Sequence, residues 1–508
     1  MHGLPGNPEQ HQTSRREQDM NQNIITFDDA TIEKLFGNEA ADYENIERLR
    51  EYYFKGKVYS RVTADLPLRI IVGHKGVGKS ALIRYAMHED YMNGVLPVLI
   101  KPDDVVAIAK SNIDFLQRIK DWKTGLSQVI GNKVLEDFGI GDNATMQLFT
   151  QPGGKLLNLI HDSISGLLDK AGVNIAPTKE SIAKRFLEKK KIRVYIDDLD
   201  RGWAAKKDEI NRISALLSAV LDMCTEYPGI QFRVALRSDV YFLYRTSDES
   251  TDKTEGSVVW FSWTNHEILA LLAKRVETFF GRTPPDKLEK LPQSELAKFL
   301  LPIMEERFNG VGKWESAPIH RILMTLIRRR PRDLVKLCSL AARHAHEREE
   351  NKIYTEDFEG IFEEYSQGRS QDTFNEYKSE LPQIQRLIEG MRPTAKEVKE
   401  GMGWIYSTDS LNKKLANICQ QGSFTFSSGK KASTKELAQF MYKINFLVAR
   451  KDHGKDGLIE RKYFEENRYI SSEFRDFGYD WEIHPAFRKH LQPESIFSLS
   501  KSISLSAD

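Results

Sequence analysis

The sequence predicts an α/β protein: a five-stranded parallel sheet flanked by helices, then a helical unit, then a smaller α+β unit. Three observations predict it. From about residue 66, short β-branched runs alternate with longer amphipathic stretches, as parallel strands joined by crossover helices do. From Thr264 to about Tyr365, apolar residues recur at helical spacing, in HEILALLAKRVETFF, ESAPIHRILMTLI and RPRDLVKLCSLAARHAHEREE. Beyond residue 381, helical patterns give way to strand-like runs around NFLVARKDHGKDGLIERKYF. A chain of 508 residues leaves room for about three folding units.

In chain order, residues 1–25 are polar, lack the apolar core of a secretory signal, and read as a disordered tail. Helices are expected over 26–58, where Ile32, Leu35, Phe36 and then Ile46, Leu49, Tyr52 and Tyr53 fall on helical faces. The five strands are Leu68–Gly73, Val95–Ile100, Ile192–Asp197, Phe232–Leu236 and Ser257–Phe261. They place one domain over 26–263, with a helical insertion at about 105–188 broken by GIGDNAT and QPGGK. The helical unit follows over 264–365, a polar linker over 366–380, the α+β unit over 381–495, and a tail over 496–508. No repeat of 20–50 residues is visible, which argues against a solenoid.

Charge and composition exclude several classes. Lys plus Arg (74) and Asp plus Glu (73) leave a formal +1, so no global field draws the chain to nucleic acid or to membranes. No run of about eighteen apolar residues is long enough to span a bilayer. Cys224, Cys338 and Cys419 are too few and too scattered for a disulfide framework or a thiolate metal site, and a reducing cytoplasm is the expected location.

The sharpest feature is Gly73-His74-Lys75-Gly76-Val77-Gly78-Lys79-Ser80, a full G-x-x-x-x-G-K-[ST] phosphate loop. An apolar strand, LRIIV, enters it and a helix, SALIRYAMHEDY, leaves it. Glycines let successive backbone N–H groups converge on phosphate oxygens, and the helix adds its positive end. Lys79 is expected to reach the β- and γ-phosphates of a nucleotide, and the Ser80 hydroxyl to ligate Mg²⁺.

A second element must supply acids. Ile192–Ile196 is an apolar strand running into Asp197-Asp198-Leu199-Asp200-Arg201, the Walker B pattern. Strand C-terminal ends are where open parallel sheets bind ligands. Asp197 is expected to hold Mg²⁺, and Asp198 to orient or deprotonate the attacking water. Asp200 and Arg201 read as loop-shaping ion-pair residues, and a solvated acidic turn is the bland alternative.

The strand order and these motifs resemble the additional-strand P-loop ATPases that include AAA+ proteins. No N-K-x-D motif is present, and the resemblance favours ATP over GTP. It implies a sensor at the end of the fourth strand, where Arg237 stands in Leu236-Arg237-Ser238-Asp239; a salt bridge to Asp239 is the alternative. Trp263-Thr264 with Glu267-Ile268-Leu269 resembles the opening of an origin-recognition-type lid, and Arg330-Pro331-Arg332-Asp333-Leu334 its second sensor, with Arg332 on the phosphates. Arg328-Arg329-Arg330 reads as a solvated basic surface or an inter-subunit contact. Residues 26–365 resemble a prokaryotic STAND- or KAP-like AAA+ core, of the kind encoded in anti-phage defence and mobile-element loci. The family's arginine finger has no convincing counterpart.

Residues 381–490 carry a basic excess of only +5. Helix, helix and hairpin, with the basic loop Arg450–Lys455, are compatible with a winged helix, so contact with protein and contact with DNA both stay open. Trp481–Arg488 reads as a packed closure, and His484 lacks zinc-ligand spacing. His344 and His346 face different sides of a helix, and no G-x-S-x-G, C-x-x-C, H-E-x-x-H or nuclease motif is present. The expected protein is a cytoplasmic Mg·ATP-hydrolysing switch that forms a homo-oligomer, or signals to a separately encoded effector such as a nuclease. The rival is an ATP-driven loader or initiator that holds DNA through its C-terminal domain.

Overall fold

The computed structural model describes residues 25–38, 44–108, 114–139, 156–169, 176–203, 205–247, 252–285, 287–400, 403–453, 459–467, 478–492 and 503–506. The polar tail lies outside them apart from buried Ile25, as do QPGGK and most of GIGDNAT.

Three helices, α1 (Asp29–Phe36), α2 (Ile46–Tyr52) and α3 (Lys57–Thr63), lead into β1 (Leu68–Gly73). The chain continues through α4 (Lys79–Met92), β2 (Leu96–Ile100), α5 (Phe115–Asp137), α6 (Leu156–Asp169) and α7 (Pro177–Lys189) to β3 (Ile192–Ile196). Then follow α8 (Lys207–Glu226), β4 (Ile230–Arg237), α9 (Ser238–Ser247) and β5 (Val258–Trp260). All pairings are parallel, in the order β2-β3-β4-β1-β5. The strand carrying the acids is therefore separated from the loop strand by β4. β1, β3 and β4 are almost wholly buried because helices cover both faces, which explains their continuous apolar runs. Register sets Gly73 level with Arg237, and Ile196 level with Val234. The ends of β1, β3 and β4 thus meet at one edge, and the fold is that of a P-loop nucleotide-binding protein.

One buried charge fastens the entry helices to the sheet. Arg233 on β4 is fully buried, and its guanidinium donates to the carbonyls of Val62 (2.6 Å), in the last turn of α3, and of Ala64 (2.7 Å) and Leu66 (3.0 Å) just past it. Carbonyls at a helix end have no intrahelical partner, and Arg233 supplies one.

The helical unit is built on α10 (Asn265–Phe279), α11 (Ile319–Leu326), α12 (Pro331–Glu347) and α13 (Thr355–Tyr377). A capping box starts α10: Thr264 Oγ1 accepts from the Glu267 N–H at 3.1 Å, and Glu267 accepts from the Thr264 N–H at 3.0 Å. Residues 366–380, expected as a linker, instead continue α13 to Tyr377. One face of this stretch, with Ser366, Arg369, Ser370, Thr373 and Glu376, is buried against the unit: Arg369 pairs with Asp333 at 2.7 Å, and Thr373 accepts from Arg328 at 2.9 Å. Polarity reads as exposure only when no partner is in view; buried polar groups find each other.

For the same reason the Arg328–Arg330 run is not a solvated surface. Arg328 and Arg330 are 3% and 2% exposed, and Arg328 forms a forked pair with Asp333 at 2.8 and 3.0 Å. Arg329 lies over the Tyr463 ring and pairs with Glu466 at 2.5 Å.

The C-terminal unit comprises α14 (Ile384–Gly390), β6 (Ile405–Tyr406), α15 (Thr408–Gln420), α16 (Thr434–Lys443), β7 (Leu447–Asp452), β8 (Ile459–Lys462), β9 (Asp480–Ile483) and α17 (Pro485–Leu491). Its antiparallel sheet runs β8-β7-β9-β6. Trp481, Ile483 and Phe487 are buried in its core, as the packed closure required. Part of the expected 496–508 tail is also built in. Ile503 is fully buried and accepts from Trp314 Nε1 at 3.0 Å, while Ser506 bonds Arg461 at 2.6 Å and Thr325 at 3.1 Å. Residues 503–506 therefore bridge the helical unit to β8.

Candidate active site

A cavity of about 460 Å³ opens at the C-terminal ends of β1, β3 and β4, between the phosphate loop and the helical unit. Gly76 (φ 84°) and Gly78 (φ 98°) take left-handed backbone angles that a side chain would strain. At Gly76 the space is closed as well: an added Cβ would meet Arg332 Cβ at 3.0 Å. Arg332 opens α12 behind Pro331, and its backbone N–H donates to the Gly76 carbonyl at 3.3 Å. The residue expected as second sensor therefore lies against the loop.

Lys79 folds back on the loop, donating to the carbonyls of Gly73 (2.7 Å) and His74 (3.1 Å). Burial pushes its ammonium pKa down, and Asp200, Asp197 and Glu376 pull against that shift. Ser80 donates to the Asp197 carboxylate, whose pKa burial raises in spite of that bond. The two residues expected to hold a metal are thus in contact. A hydroxyl and a carboxylate are hard oxygen donors that fit Mg²⁺. The loop fits phosphate oxygens, and the cavity is lined also by the aromatic residues Tyr52, Tyr53, Phe54 and Trp263. Trp263 is fixed by its Nε1–H donating to the Val77 carbonyl at 2.7 Å, and Arg275 lies 4.7 Å over the Tyr52 ring.

The three acids after β3 point differently. Asp197 is buried. Asp198 takes φ 61°, and its side chain is 60% exposed at the cavity rim. Asp200 turns inward to 6% exposure, 3.6 Å from Arg237 Nε. Arg237 is held by a fork to Asp239 (3.0 and 2.7 Å) and donates to the Glu376 carbonyl at 2.6 Å. It lines the cavity as the sensor position requires, but it is also tied into the salt bridge that was its alternative.

Distant residues, illegible in the sequence, grip the loop's outer side. The Glu376 carboxylate accepts from the Lys75 N–H at 3.1 Å and pairs with Arg330 at 3.1 Å. His74, 1% exposed, has Nδ1 2.7 Å from Tyr377 Oη and 2.9 Å from Ser238 Oγ, and Nε2 2.5 Å from Glu465 Oε1. Of the loop residues, His74 and the Lys75 backbone thus hold the end of α13 and the C-terminal unit, whereas Lys75 to Ser80 line the cavity. Pairs separated by some three hundred positions leave no local pattern; an acid and a tyrosine in a stretch of otherwise polar residues were the only available signal.

The family model described as the FunZ-associated C-terminal helical domain matches residues 303–373, from Ile303 through α11 and α12 to the last turn of α13. No curated protein matches the chain. Among solved structures, the chain is similar to the Aeropyrum pernix ORC2 protein in its ADPNP-ADP complexes, at 10% identity over 84% of this chain and 85% of that one, with a TM-score of 0.42. It is similar to CDC6P from Pyrobaculum aerophilum at 11% identity over 90% and 94%, TM-score 0.28. The Aeropyrum pernix ORC1 protein in complex with DNA is similar at 13% identity over 84% and 90%, TM-score 0.28.

Proposed function

We propose that the chain is a Mg·ATP-binding and hydrolysing switch of the AAA+ type, whose nucleotide state passes to its C-terminal unit and from there to a partner. The observation that carries this reading is the two-sided phosphate loop. One side faces the cavity with Lys79, Ser80 and the Gly76–Gly78 nest, while the other is bonded through Lys75 to Glu376 and through His74 to Glu465. A ligand that draws the loop inward acts on α13 and the C-terminal unit through those bonds, which is the differential contact a switch needs. In this reading Lys79 and the loop amides bind the phosphates, Arg332 reads them from the helical unit, and Arg237 fixes the acids. Ser80 and Asp197 would hold Mg²⁺, which supplies charge neutralisation on the phosphates.

The partner is proposed to be further copies of this chain, a separately encoded effector, or both, in keeping with the resemblance to defence-locus ATPases. The winged-helix-like arrangement of the C-terminal unit keeps the loader reading in play. Two features weigh against duplex binding through α16. Lys443 pairs with Glu380, and the Phe440 face turns towards Phe242 of α9 across a shared groove. Duplex DNA that raised turnover, with an effect falling steeply with salt, would favour the loader.

Assembly is tested by sedimentation of the full chain with and without Mg²⁺ and a non-hydrolysable ATP analogue. The wild type is expected to shift to a larger species with the analogue, through a coupling of about 1–3 kcal/mol, and Lys79→Ala to stay unshifted. One mass under every condition would remove ATP-driven assembly from the account.

A further inference from the structure

We propose that Asp200, and not Asp198, holds and activates the water that attacks the terminal phosphate. The inference rests on the reading of this cleft as an ATP-hydrolysing site.

A water-activating carboxylate must face the phosphate end of the cleft, be shielded from bulk solvent, and keep one oxygen free of hydrogen bonds within the protein, so that it can accept from the water. Asp198 lines the cavity too, but it fails the second condition. Its left-handed backbone turns the side chain out to 60% exposure, where it pairs with the exposed Arg201 at 3.9 Å. Asp200 meets all three. The turn after β3 is closed by the Arg201 N–H donating to the Asp198 carbonyl (2.9 Å) and the Trp203 N–H donating to the Asp200 carbonyl (3.1 Å). That fold carries the Asp200 side chain back into the cavity, leaving Oδ2 buried and without a hydrogen-bond partner. A buried carboxylate oxygen that accepts no bond is a rare and costly feature, and a cleft that binds water or substrate is a place where it persists.

Its surroundings also suit the task. Asp200 lines the same cavity as Lys79 and the phosphate loop. Arg237 Nε lies 3.6 Å from that same Oδ2, beyond hydrogen-bond reach, and is itself fixed by the fork to Asp239, so the carboxylate faces a cation that cannot swing away. Arg237 is in this account a positioning residue. In the step, the water oxygen forms a bond to the γ-phosphorus while the bond from that phosphorus to the β,γ-bridging oxygen breaks. The bridging oxygen leaves with the electron pair on ADP, and the water proton passes to Asp200 Oδ2 and from there to the released phosphate. ATP and water are consumed, ADP and phosphate are formed, and nothing is oxidised or reduced.

The test compares Asp200→Asn and Asp198→Asn in the full chain by three readouts: Mg·ATP turnover, affinity for a fluorescent ATP analogue, and binding of ADP with aluminium fluoride. Asp200→Asn is expected to keep ATP affinity within about threefold, lose turnover by about a hundredfold or more, and bind ADP–aluminium fluoride no tighter than ADP. Asp198→Asn is expected to keep turnover within about threefold. Asp200→Glu, which keeps the charge, is expected to recover part of the turnover that asparagine loses. Turnover surviving in Asp200→Asn but not in Asp198→Asn would overturn the assignment. So would a fall in ATP affinity that matches the fall in turnover, the mark of a purely structural pair with Arg237. A wild type that neither binds nor hydrolyses ATP would instead overturn the underlying reading of the cleft, and this assignment with it.

Discussion

Replacing Glu376 by alanine is expected to cost about 3–5 kcal/mol of stability, because it strands buried cations instead of removing a surface pair. Glu376 is 4% exposed. Its carboxylate meets Arg330 at 3.1 Å, and its backbone carbonyl accepts from Arg237 at 2.6 Å. Arg330 is 2% exposed and, besides Glu376, donates to the Lys75 carbonyl at 3.3 Å. Truncation leaves its charge with no counter-ion and frees the Lys75 amide. Burial alone would raise the Glu376 carboxyl, yet Arg330, Arg237 and His74 overcome it and bring the pKa down to about 2 from 4.5. Glu465, against His74, is likewise brought down to about 2. A carboxyl lowered by folding contributes stability that is whole above its ordinary pKa and is lost as pH falls towards the folded value. Glu376 therefore adds about 3 kcal/mol at neutral pH that fades between about pH 4.5 and 2. Urea unfolding at neutral and acid pH checks both points. Glu376→Gln should flatten the acid limb, and an acid limb unchanged from wild type would contradict the assignment.

Asp333→Ala is expected to be as damaging or more so, at about 3–5 kcal/mol, since one carboxylate there serves two buried guanidiniums. Arg328 meets it at 2.8 and 3.0 Å and Arg369 at 2.7 Å, and all three side chains are under 4% exposed. Burial opposes its ionisation, but Arg328 and Arg369 hold it well below the ordinary carboxylate range. This cluster locks α12 to α13, and α12 carries Arg332 to the loop. The variant should therefore lose ATP affinity along with stability. A melting transition within about 2 °C of wild type would show that the cluster is not the lock described.

How far the sequence revealed all this depended on the range of each interaction. The phosphate loop, the acid-tipped strand and the five strand positions were legible because each is a local pattern of apolar period, glycine and charge. The crossover order followed from the extra strand between loop and acids. The end of α13 was not legible: Arg369, Thr373 and Glu376 look like linker residues until Asp333, Arg328 and Arg330 are set beside them. The arginine run was misread as a surface for the same reason, and residues 503–506 as a free tail because their partners, Trp314 and Arg461, lie far away in the chain. Within the acid cluster, the sequence favours Asp198 over Asp200 as the acid on the attacking water, because Asp198 directly follows the strand's last residue. The left-handed turn at Asp198, which leaves that side chain 60% exposed and Asp200 6% exposed, has no local signature in the sequence.

The central claim is that the Gly73–Ser80 loop holds the phosphates of ATP. Calorimetric titration of Mg·ATP into the wild type and into Lys79→Ala tests it most directly. Loss of the charge-assisted contact, about 1.5–3 kcal/mol, should weaken binding by about tenfold or more while the melting temperature stays close to that of wild type. Equal affinity in the two proteins would contradict the account.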